Sequence, residues 1–143
     1  MRFLRRGETT LNEFWQDNCR SKCHDMLGTI YEWFYEGVLG VKAETEAYKT
    51  FRVKPPLESE FGAVEGSVEC PYGVIEVKYQ KNGEEVSMEV TVPSSTTAYL
   101  VLPGSESRAV LRRLGKGKGG YTEERKGEKV KLKPGKYELV LHP

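Results

Sequence analysis

The spacing of hydrophobic positions changes along this chain of 143 residues. Across residues 25–39, apolar side chains recur every three or four positions, which predicts a helix. Asp25 is a candidate N-cap and Gly40 a candidate C-terminal stop. Trp33 lies beside the main stripe and widens it, and a helix that is apolar around much of its circumference is usually buried between neighbours. The helix therefore calls for more packing partners than this chain readily supplies. The stripe consists of Leu27, Ile30, Tyr31, Phe34 and Val38.

From residue 48 onward the period is two, which is typical of half-buried strands. Strands are predicted around residues 51–53, 64–70, 74–80, 86–92, 98–102, 130–132 and 137–141. Asn82-Gly83 is the dipeptide that two-residue hairpin turns prefer, and Pro134-Gly135 predicts the turn of a second hairpin. The fold prediction is mainly β: an antiparallel β-sandwich of about seven or eight strands, preceded by an N-terminal α-helical segment. The predicted domains are residues 1–41 and 42–143.

Composition narrows the class of protein. With 22 Lys and Arg against 21 Asp and Glu, the net charge of +1 favours neither nucleic acid nor a membrane surface as a partner. No apolar run approaches the ~20 residues of a membrane-spanning helix, and the basic N-terminus leads into polar residues rather than a secretory apolar core. The cysteine count is three, an odd number that favours reduced thiols and a cytoplasmic location.

Two clusters of side chains are candidate ligand-binding sites. Cys19, Cys23 and His24 are soft metal ligands at close spacing, but structural zinc sites have four ligands, and Cys70 and His142 are single residues far along the chain. Free thiols are therefore favoured, with no metal and no cofactor expected. The second cluster is a basic run without the spacing of a phosphate-binding loop, and acidic neighbours dilute its charge, so a solvated loop is favoured. It consists of Arg108, Arg112, Arg113, Lys116 and Lys118.

A third cluster combines the carboxylate of Glu13 with the aromatic ring of Trp15. Sugar-processing sites use this mixture, with a carboxylate for proton transfer and a ring against the apolar side of a sugar. From the spacing alone, Glu13 and Trp15 are more simply explained as neighbours on an ordinary helix surface than as a sugar site. His24 alone is likewise more often a hydrogen-bonded structural residue.

The order of these segments resembles the C-terminal end of bacterial α-L-rhamnosidases. In that family an α/α-barrel catalytic domain closes with a Thr-Thr-x-Trp-Glu-x-Trp-like segment, a Ser-x-x-His motif and a Gly-x-x-x-Glu-Trp-x-Tyr-like helix, and a small β-sandwich follows. The matching segments here are residues 9–15 (TTLNEFW), 21–24 (SKCH), 28–35 (GTIYEWFY), 39–41, 48–55, 71–73, 92–98 and 134–137.

The resemblance implies a function and a set of site residues. Family members hydrolyse terminal α-L-rhamnosides with inversion, in which one carboxylic acid protonates the leaving oxygen and a second carboxylate activates water. The general base maps onto Glu13, and the substrate-binding histidine and tryptophan map onto His24 and Trp15. The family's general acid lies on barrel segments upstream of those matched here. Loss of either proton-transfer group costs roughly two to four orders of magnitude in rate, so the chain alone is expected to be inactive.

Two alternatives stay open. In the first alternative, the chain is a non-catalytic sandwich that binds carbohydrate or acts as a scaffold through exposed aromatics such as Tyr72, Tyr99 or Tyr121. Strand aromatics, however, are usually core or cross-strand partners. The chain also has an apolar helix face, including Met26 and Trp33, through which it could form a homo-oligomer or bind a separate chain that supplies the barrel. The partners expected for the complete enzyme are rhamnose-containing glycosides.

Overall fold

The computed structural model describes residues 29–57, 60–83, 85–115 and 121–142. The chain forms two compact units, Met1–Phe34 and Tyr35–Pro143. The described part of the first unit is α1 (Thr29–Trp33) and the first residue of a π-helical turn (Phe34–Val38). The second unit contains a 3-10 turn (Glu46–Tyr48) and the strands β1 (Val41–Ala43), β2 (Thr50–Val53), β3 (Ala63–Cys70), β4 (Gly73–Asn82), β5 (Glu85–Val92), β6 (Thr97–Val101), β7 (Arg108–Leu114), β8 (Tyr121–Lys126), β9 (Lys129–Leu132) and β10 (Gly135–His142).

The strands form two sheets around one core, which confirms the predicted mainly-β sandwich. The larger sheet has the order β3-β4-β5-β10-β7-β8 and the smaller the order β1-β2-β6-β9. Inward positions alternate with outward ones along each strand, because successive side chains of a strand point to opposite faces. Both sheets contribute fully buried side chains, with Phe51 and Leu100 from the smaller and Ile75, Tyr137 and Leu139 from the larger.

Ten described strands exceed the seven or eight expected, and two of the additional ones lie in the charged region. Residues 108–114 form β7, which pairs with β10 on one side and β8 on the other. Ala109 and Leu111 are buried on its inner face while Arg108 and Arg112 point outward. The expectation of a loop was therefore wrong for this part of the basic run, because two inward apolar residues are enough to pack a strand against the core while its outward positions are charged. Lys116 and Lys118 lie outside the described residues.

The hairpin between β4 and β5 forms one residue later than predicted. Asn82 pairs with Glu85 rather than lying in the turn, and Gly83, which follows it, has a φ of +67°. A shift of the turn by one position moves the register by two residues and keeps every side chain on its original face. Hydrophobic alternation could not distinguish the two registers.

The second predicted hairpin is wrong. β9 pairs with β6 in the smaller sheet, whereas β10 pairs with β5 and β7 in the larger one. Lys133 and Pro134 carry the chain from one sheet to the other. The guanidinium of Arg113 donates a hydrogen bond to the Pro134 carbonyl at 2.7 Å, and the hydroxyl of Tyr137 donates to the Lys133 carbonyl at 2.8 Å. Side chains thereby stabilise a crossover that resembles a turn in sequence.

The smaller sheet also departs from an all-antiparallel design. β2 and β6 run parallel, with Phe51 opposite Ala98 and Arg52 opposite Tyr99. A parallel pair needs a long connection, and here that connection contains β3, β4 and β5 of the larger sheet. The smaller sheet is therefore assembled from four segments distant in sequence.

The predicted helix is shorter within the described residues. α1 has five residues and continues as the π-helical turn to Val38, while residues 25–28 lie outside the described residues. Gly40 has a φ of +76°, and a β-carbon there would lie 2.0 Å from the Lys54 carbonyl oxygen. Only glycine fits this close approach, so the predicted C-terminal stop is confirmed with a steric reason. Among the described residues, no helix has the length and apolar character to cross a bilayer.

Candidate functional site

The three residues assigned by resemblance, Glu13, Trp15 and His24, lie outside the described residues, as do Cys19 and Cys23. Their roles stay predictions. The described residues instead define four surfaces on which a function can be placed: the aromatic helix, the loop between β1 and β2, and the outer faces of the two sheets.

The aromatic helix exposes the stripe that the sequence analysis identified. Ile30, Tyr31, Trp33 and Phe34 each expose between 50% and 59% of their surface. Trp33 and Phe34 contact each other edge to face, with ring centroids 5.2 Å apart. Large apolar side chains exposed together commonly mark a contact with another protein segment. This face is therefore a candidate interface rather than a catalytic site.

The loop between β1 and β2 is conformationally unusual. Ala47 and Tyr48 are consecutive non-glycine residues with φ values of +55° and +60°, a left-handed geometry that costs roughly 1–2 kcal/mol per residue. Thr45 accepts a hydrogen bond on its hydroxyl oxygen from the backbone N–H of Thr50 at 2.8 Å, which helps to hold the loop. The Tyr48 ring packs edge to face with Phe51 of the core.

The environment of Tyr48 raises the pKa of its hydroxyl. Burial is the largest cause, and the neighbouring Glu36, Tyr35 and Cys70 add to it. Each of these effects disfavours the phenolate. Tyr48 is therefore neutral at physiological pH and suited to hydrogen bonding rather than to proton abstraction.

The tyrosines considered for sugar stacking are partly engaged. The Lys49 ammonium lies 4.7 Å from the ring centroid of Tyr72, and the Lys129 ammonium lies 4.2 Å from that of Tyr99. Such cation–π contacts occupy one face of each ring. Tyr121 begins β8, and its role in sugar binding stays a prediction.

The outer face of the six-stranded sheet carries interspersed charges of both signs, with a like-charge opposition where Glu89 lies opposite Glu138. Directly opposite residues run from Glu65 through Lys78 and Glu89 to Glu138 and then Arg112. Lys78 lies 3.4 Å from Glu65, and Arg112 lies 3.3 Å from Glu138. A shallow depression of about 450 Å³ follows this face. Its ladder of exposed ion pairs is typical of a solvated surface.

The outer face of the four-stranded sheet carries a single sign of charge. Lys42 lies opposite Arg52, Arg52 opposite Tyr99, and Tyr99 opposite Lys131. Lys129 is the fourth outward cation, and among the described residues of this sheet no carboxylate points outward. The sequence analysis predicted a strand at residues 130–132 but did not find the row, because its members come from four separate segments.

The remaining metal-ligand candidates are separated. Cys70 is a free thiol that donates a hydrogen bond to the Gly73 carbonyl at 3.1 Å. His142, at the end of β10, lies 3.4 Å from the carboxylate of Glu85, at the start of the neighbouring strand β5. In the described ranges, no group of three or more metal-ligating side chains comes together.

The described fold defines a two-sheet, mainly antiparallel β-sandwich domain. Residues 40–115 match the family model of the bacterial α-L-rhamnosidase C-terminal domain, and residues 1–38 match that of the bacterial α-L-rhamnosidase six-hairpin glycosidase domain. The first match covers more than half of the chain. This protein belongs to the bacterial α-L-rhamnosidase C-terminal domain family.

Individual relatives agree with the family assignment. An α-L-rhamnosidase of Alteromonas sp. (strain LOR) is 34% identical over 114 residues, which cover 73% of this chain and 12% of the relative. An α-L-rhamnosidase of Formosa agariphila is 27% identical over 151 residues, covering 95% of this chain and 16% of the relative. The chain thus spans less than a fifth of the length of these relatives. It is a fragment or domain of a rhamnosidase-like protein.

Solved structures show the same fold. The α-L-rhamnosidase of Dictyoglumus thermophilum superposes with a TM-score of 0.66 at 22% identity, covering 99% of this chain and 17% of the other. The Streptomyces avermitilis α-L-rhamnosidase complexed with L-rhamnose gives a TM-score of 0.65 at 16% identity, over 96% of this chain and 14% of the other.

Proposed function

We propose that this chain is the C-terminal part of a glycoside hydrolase that removes terminal α-L-rhamnosyl groups with inversion of configuration. The observation that carries the proposal is the order of the two family matches. Residues 1–38 match the glycosidase domain and residues 40–115 the C-terminal domain, one directly after the other. A chain with that order contributes the end of a catalytic barrel and the sandwich that follows it.

The domain boundary in this proposal divides residues 1–41 from residues 42–143. The two family matches meet between residues 38 and 40, and Gly40 makes its close approach to Lys54 at the same place. The hydrogen bond from the Lys54 N–H to the Gly40 carbonyl, at 2.7 Å, joins the two ends of the β1–β2 hairpin. Strand pairing begins at Val41, so the start of the sandwich lies within one residue of the proposed boundary.

In the complete enzyme, Glu13 would be the general base, which removes a proton from the water that attacks the sugar. His24 and Trp15 would contact the rhamnosyl group. The partner acid would come from the barrel upstream of the matched segment. Since an inverting glycosidase needs both carboxyl groups, we expect the chain alone to bind and hydrolyse rhamnosides poorly.

The exposed aromatic helix supports the proposed contact with further protein. In the proposal, Ile30, Tyr31, Trp33 and Phe34 pack against barrel helices or, in their absence, against a second copy of this chain. Light scattering on the purified chain tests this contact. We expect self-association that Trp33→Lys weakens, and a clean monomer with no dye-accessible apolar surface would contradict it.

A cytoplasmic location is part of the proposal and rests on the odd number of cysteines, of which Cys70 is a free thiol. Thiol titration of protein isolated under alkylating conditions tests it. Three reactive thiols per chain are expected, and an intermolecular disulfide would contradict it.

Hydrolysis of an aryl α-L-rhamnoside by the purified chain tests the central part of the proposal. The expected result is no turnover above that of a Glu13→Gln variant, because the general acid is supplied elsewhere. Clear turnover that Glu13→Gln abolishes would show that the chain is catalytically sufficient and would overturn the division of roles.

A further inference from the structure

The row of side chains across the outer face of the four-stranded sheet breaks a rule of strand pairing. Lys42 and Arg52 lie directly opposite each other on β1 and β2, although like charges at opposed positions destabilise a sheet. Arg52 and Lys131 then flank Tyr99 on its two neighbouring strands.

The larger sheet contains a like-charge opposition of its own, Glu89 opposite Glu138. Lys78 and Arg112, however, flank that pair with the opposite charge. The described strands of the smaller sheet offer no outward carboxylate to flank its cations, and a conflict left uncompensated by neighbouring strands is typical of a functional surface.

Partners within the chain neutralise only part of this charge. Lys42 forms an ion pair with Glu36, and Lys129 lies 3.5 Å from Glu44 while its ammonium also sits over the Tyr99 ring. Neither Arg52 nor Lys131 is in an ion pair with another residue in the part of the chain that the structure describes. Two cations, one on each side of a tyrosine, are therefore available to a ligand.

The chemistry of the row fits an acidic sugar chain. Guanidinium and ammonium groups bind carboxylates through charge-assisted hydrogen bonds, and a tyrosine offers an apolar ring with a polar hydroxyl to a sugar. Adjacent strands lie about 4.8 Å apart, so the row from β1 to β9 extends about 14 Å. That length accommodates several sugar residues laid across the strands.

We propose that the outer face of the four-stranded sheet, along Lys42, Arg52, Tyr99 and Lys131, binds a glycan that carries uronic acid carboxylates. The site lies on the sandwich and is independent of Glu13. It would hold an acidic polysaccharide against the enzyme whether or not the complete protein hydrolyses rhamnosides. The mixed-charge face of the larger sheet lacks an unpaired row of this kind among its described residues and serves as the internal reference.

Chemical-shift titration of the full chain tests the proposal, with oligogalacturonate as the acidic probe and maltooligosaccharide of equal length as the neutral one. We expect oligogalacturonate to shift the amides of β2, β6 and β9, to bind less tightly as salt is added, and maltooligosaccharide to leave them unchanged. The double variant Arg52→Gln/Lys131→Gln should weaken binding at least about tenfold, because each removed group makes a charge-assisted contact.

Matched controls separate this site from general attraction between opposite charges. Lys78→Gln/Arg112→Gln removes the same charge from the larger sheet and should leave the affinity within about twofold. Tyr99→Ser should weaken oligogalacturonate but not polyglutamate of equal charge. Equal weakening by both double variants, equal affinity for polyglutamate, or no shift on β2, β6 and β9 would each overturn the proposal.

Discussion

The outer faces of the two sheets differ in how their charges are arranged, although both cover the same core. On the larger sheet, Glu65 faces Lys78 and Arg112 faces Glu138. Cations therefore flank the like-charge opposition of Glu89 with Glu138. On the smaller sheet, cations meet cations or a tyrosine.

The buried inward positions of both sheets are apolar, and charged residues occupy inward positions at the edge of the larger sheet, as with Glu123 opposite Leu111. The fold thus depends on one set of alternating positions, and the other set is free to carry a function.

The comparison also separates stability from recognition. Exposed ion pairs contribute about 0–1 kcal/mol each, so the charge ladder on the larger sheet adds little to folding and chiefly keeps that face hydrated. The row on the smaller sheet carries a cost of similar size through like-charge opposition. Selection for stability alone does not favour such a row, and binding gives it a reason.

The largest expected effects are in the shared core. Phe51→Ala on β2 should cost about 3–5 kcal/mol and Leu139→Ala on β10 about 2–5 kcal/mol, because each deletes a fully buried side chain. If the sheets form one cooperative core, each variant lowers the stability of both sheets. Urea unfolding measures the loss of stability, and hydrogen exchange at the amides of β5 and β6 shows whether each sheet shares it.

Val140→Ala is the matched control for the core variants. It lies on the outer face of β10 and is half-buried, so about 1 kcal/mol or less is expected from the methyl groups removed. Loss of protection in β6 but not in β5 after Phe51→Ala would show that the two sheets unfold separately.

The next largest effect is expected at the start of the smaller sheet. Gly40→Ala should cost about 2–4 kcal/mol, because it combines a left-handed backbone with overlap against the Lys54 carbonyl. Gly83→Ala in the β4–β5 hairpin has a similar φ but open space around it, so only the conformational cost of about 1–2 kcal/mol applies. Thermal unfolding compares the two. Equal costs would mean that the close approach at Gly40 relaxes freely.

Smaller effects of opposite sign should distinguish the outer faces. Arg112→Gln breaks an ion pair with Glu138 and should lower the free energy of unfolding by up to about 1 kcal/mol. Arg52→Gln removes a like-charge opposition with Lys42 and should raise the free energy of unfolding by a few tenths of a kcal/mol. Added salt should shrink both differences. A loss of stability in both variants would contradict the distinction between paired and unpaired faces.

The smallest expected effect concerns Tyr48 and pH. Its folded-state pKa is raised above the usual 10.0, with burial the main cause. The stability linked to its protonated hydroxyl is therefore complete below about pH 10 and is lost as the pH rises through the folded-state pKa. Tyr48→Phe should show a shallower decline in unfolding free energy above pH 10 than the parent chain. Tyr72→Phe serves as the control, and an identical decline in parent and Tyr48→Phe would contradict the buried setting.

Much of the fold could be predicted from the sequence, because inward apolar positions repeat every two residues. Strands such as β4 and β5 followed directly from that alternation. β7 was missed because only Ala109 and Leu111 point inward among charged neighbours. The crossover at Pro134 was mistaken for a hairpin turn, since local sequence carries no information about which sheet a strand joins.

The candidate surfaces were less predictable for a similar reason. Segment order alone revealed the relationship to rhamnosidases and placed Glu13, Trp15 and His24 in proposed roles. The row containing Arg52, Tyr99 and Lys131 depends on strand register between segments up to about eighty residues apart. Non-local pairing of that kind appears only when the strands are assembled.

Transplanting the chain into a complete enzyme most directly tests whether Glu13 supplies the base to a barrel. The chain would replace the corresponding C-terminal part of the Alteromonas sp. α-L-rhamnosidase, and kcat on an aryl α-L-rhamnoside would be compared with that of the Glu13→Gln chimera. The account predicts an active chimera whose kcat falls about 10²–10⁴-fold on Glu13→Gln with an unchanged thermal transition. Glu60→Gln, at an exposed position between β2 and β3, should leave kcat unaltered. A folded Glu13→Gln chimera as active as the Glu60→Gln chimera would contradict the account.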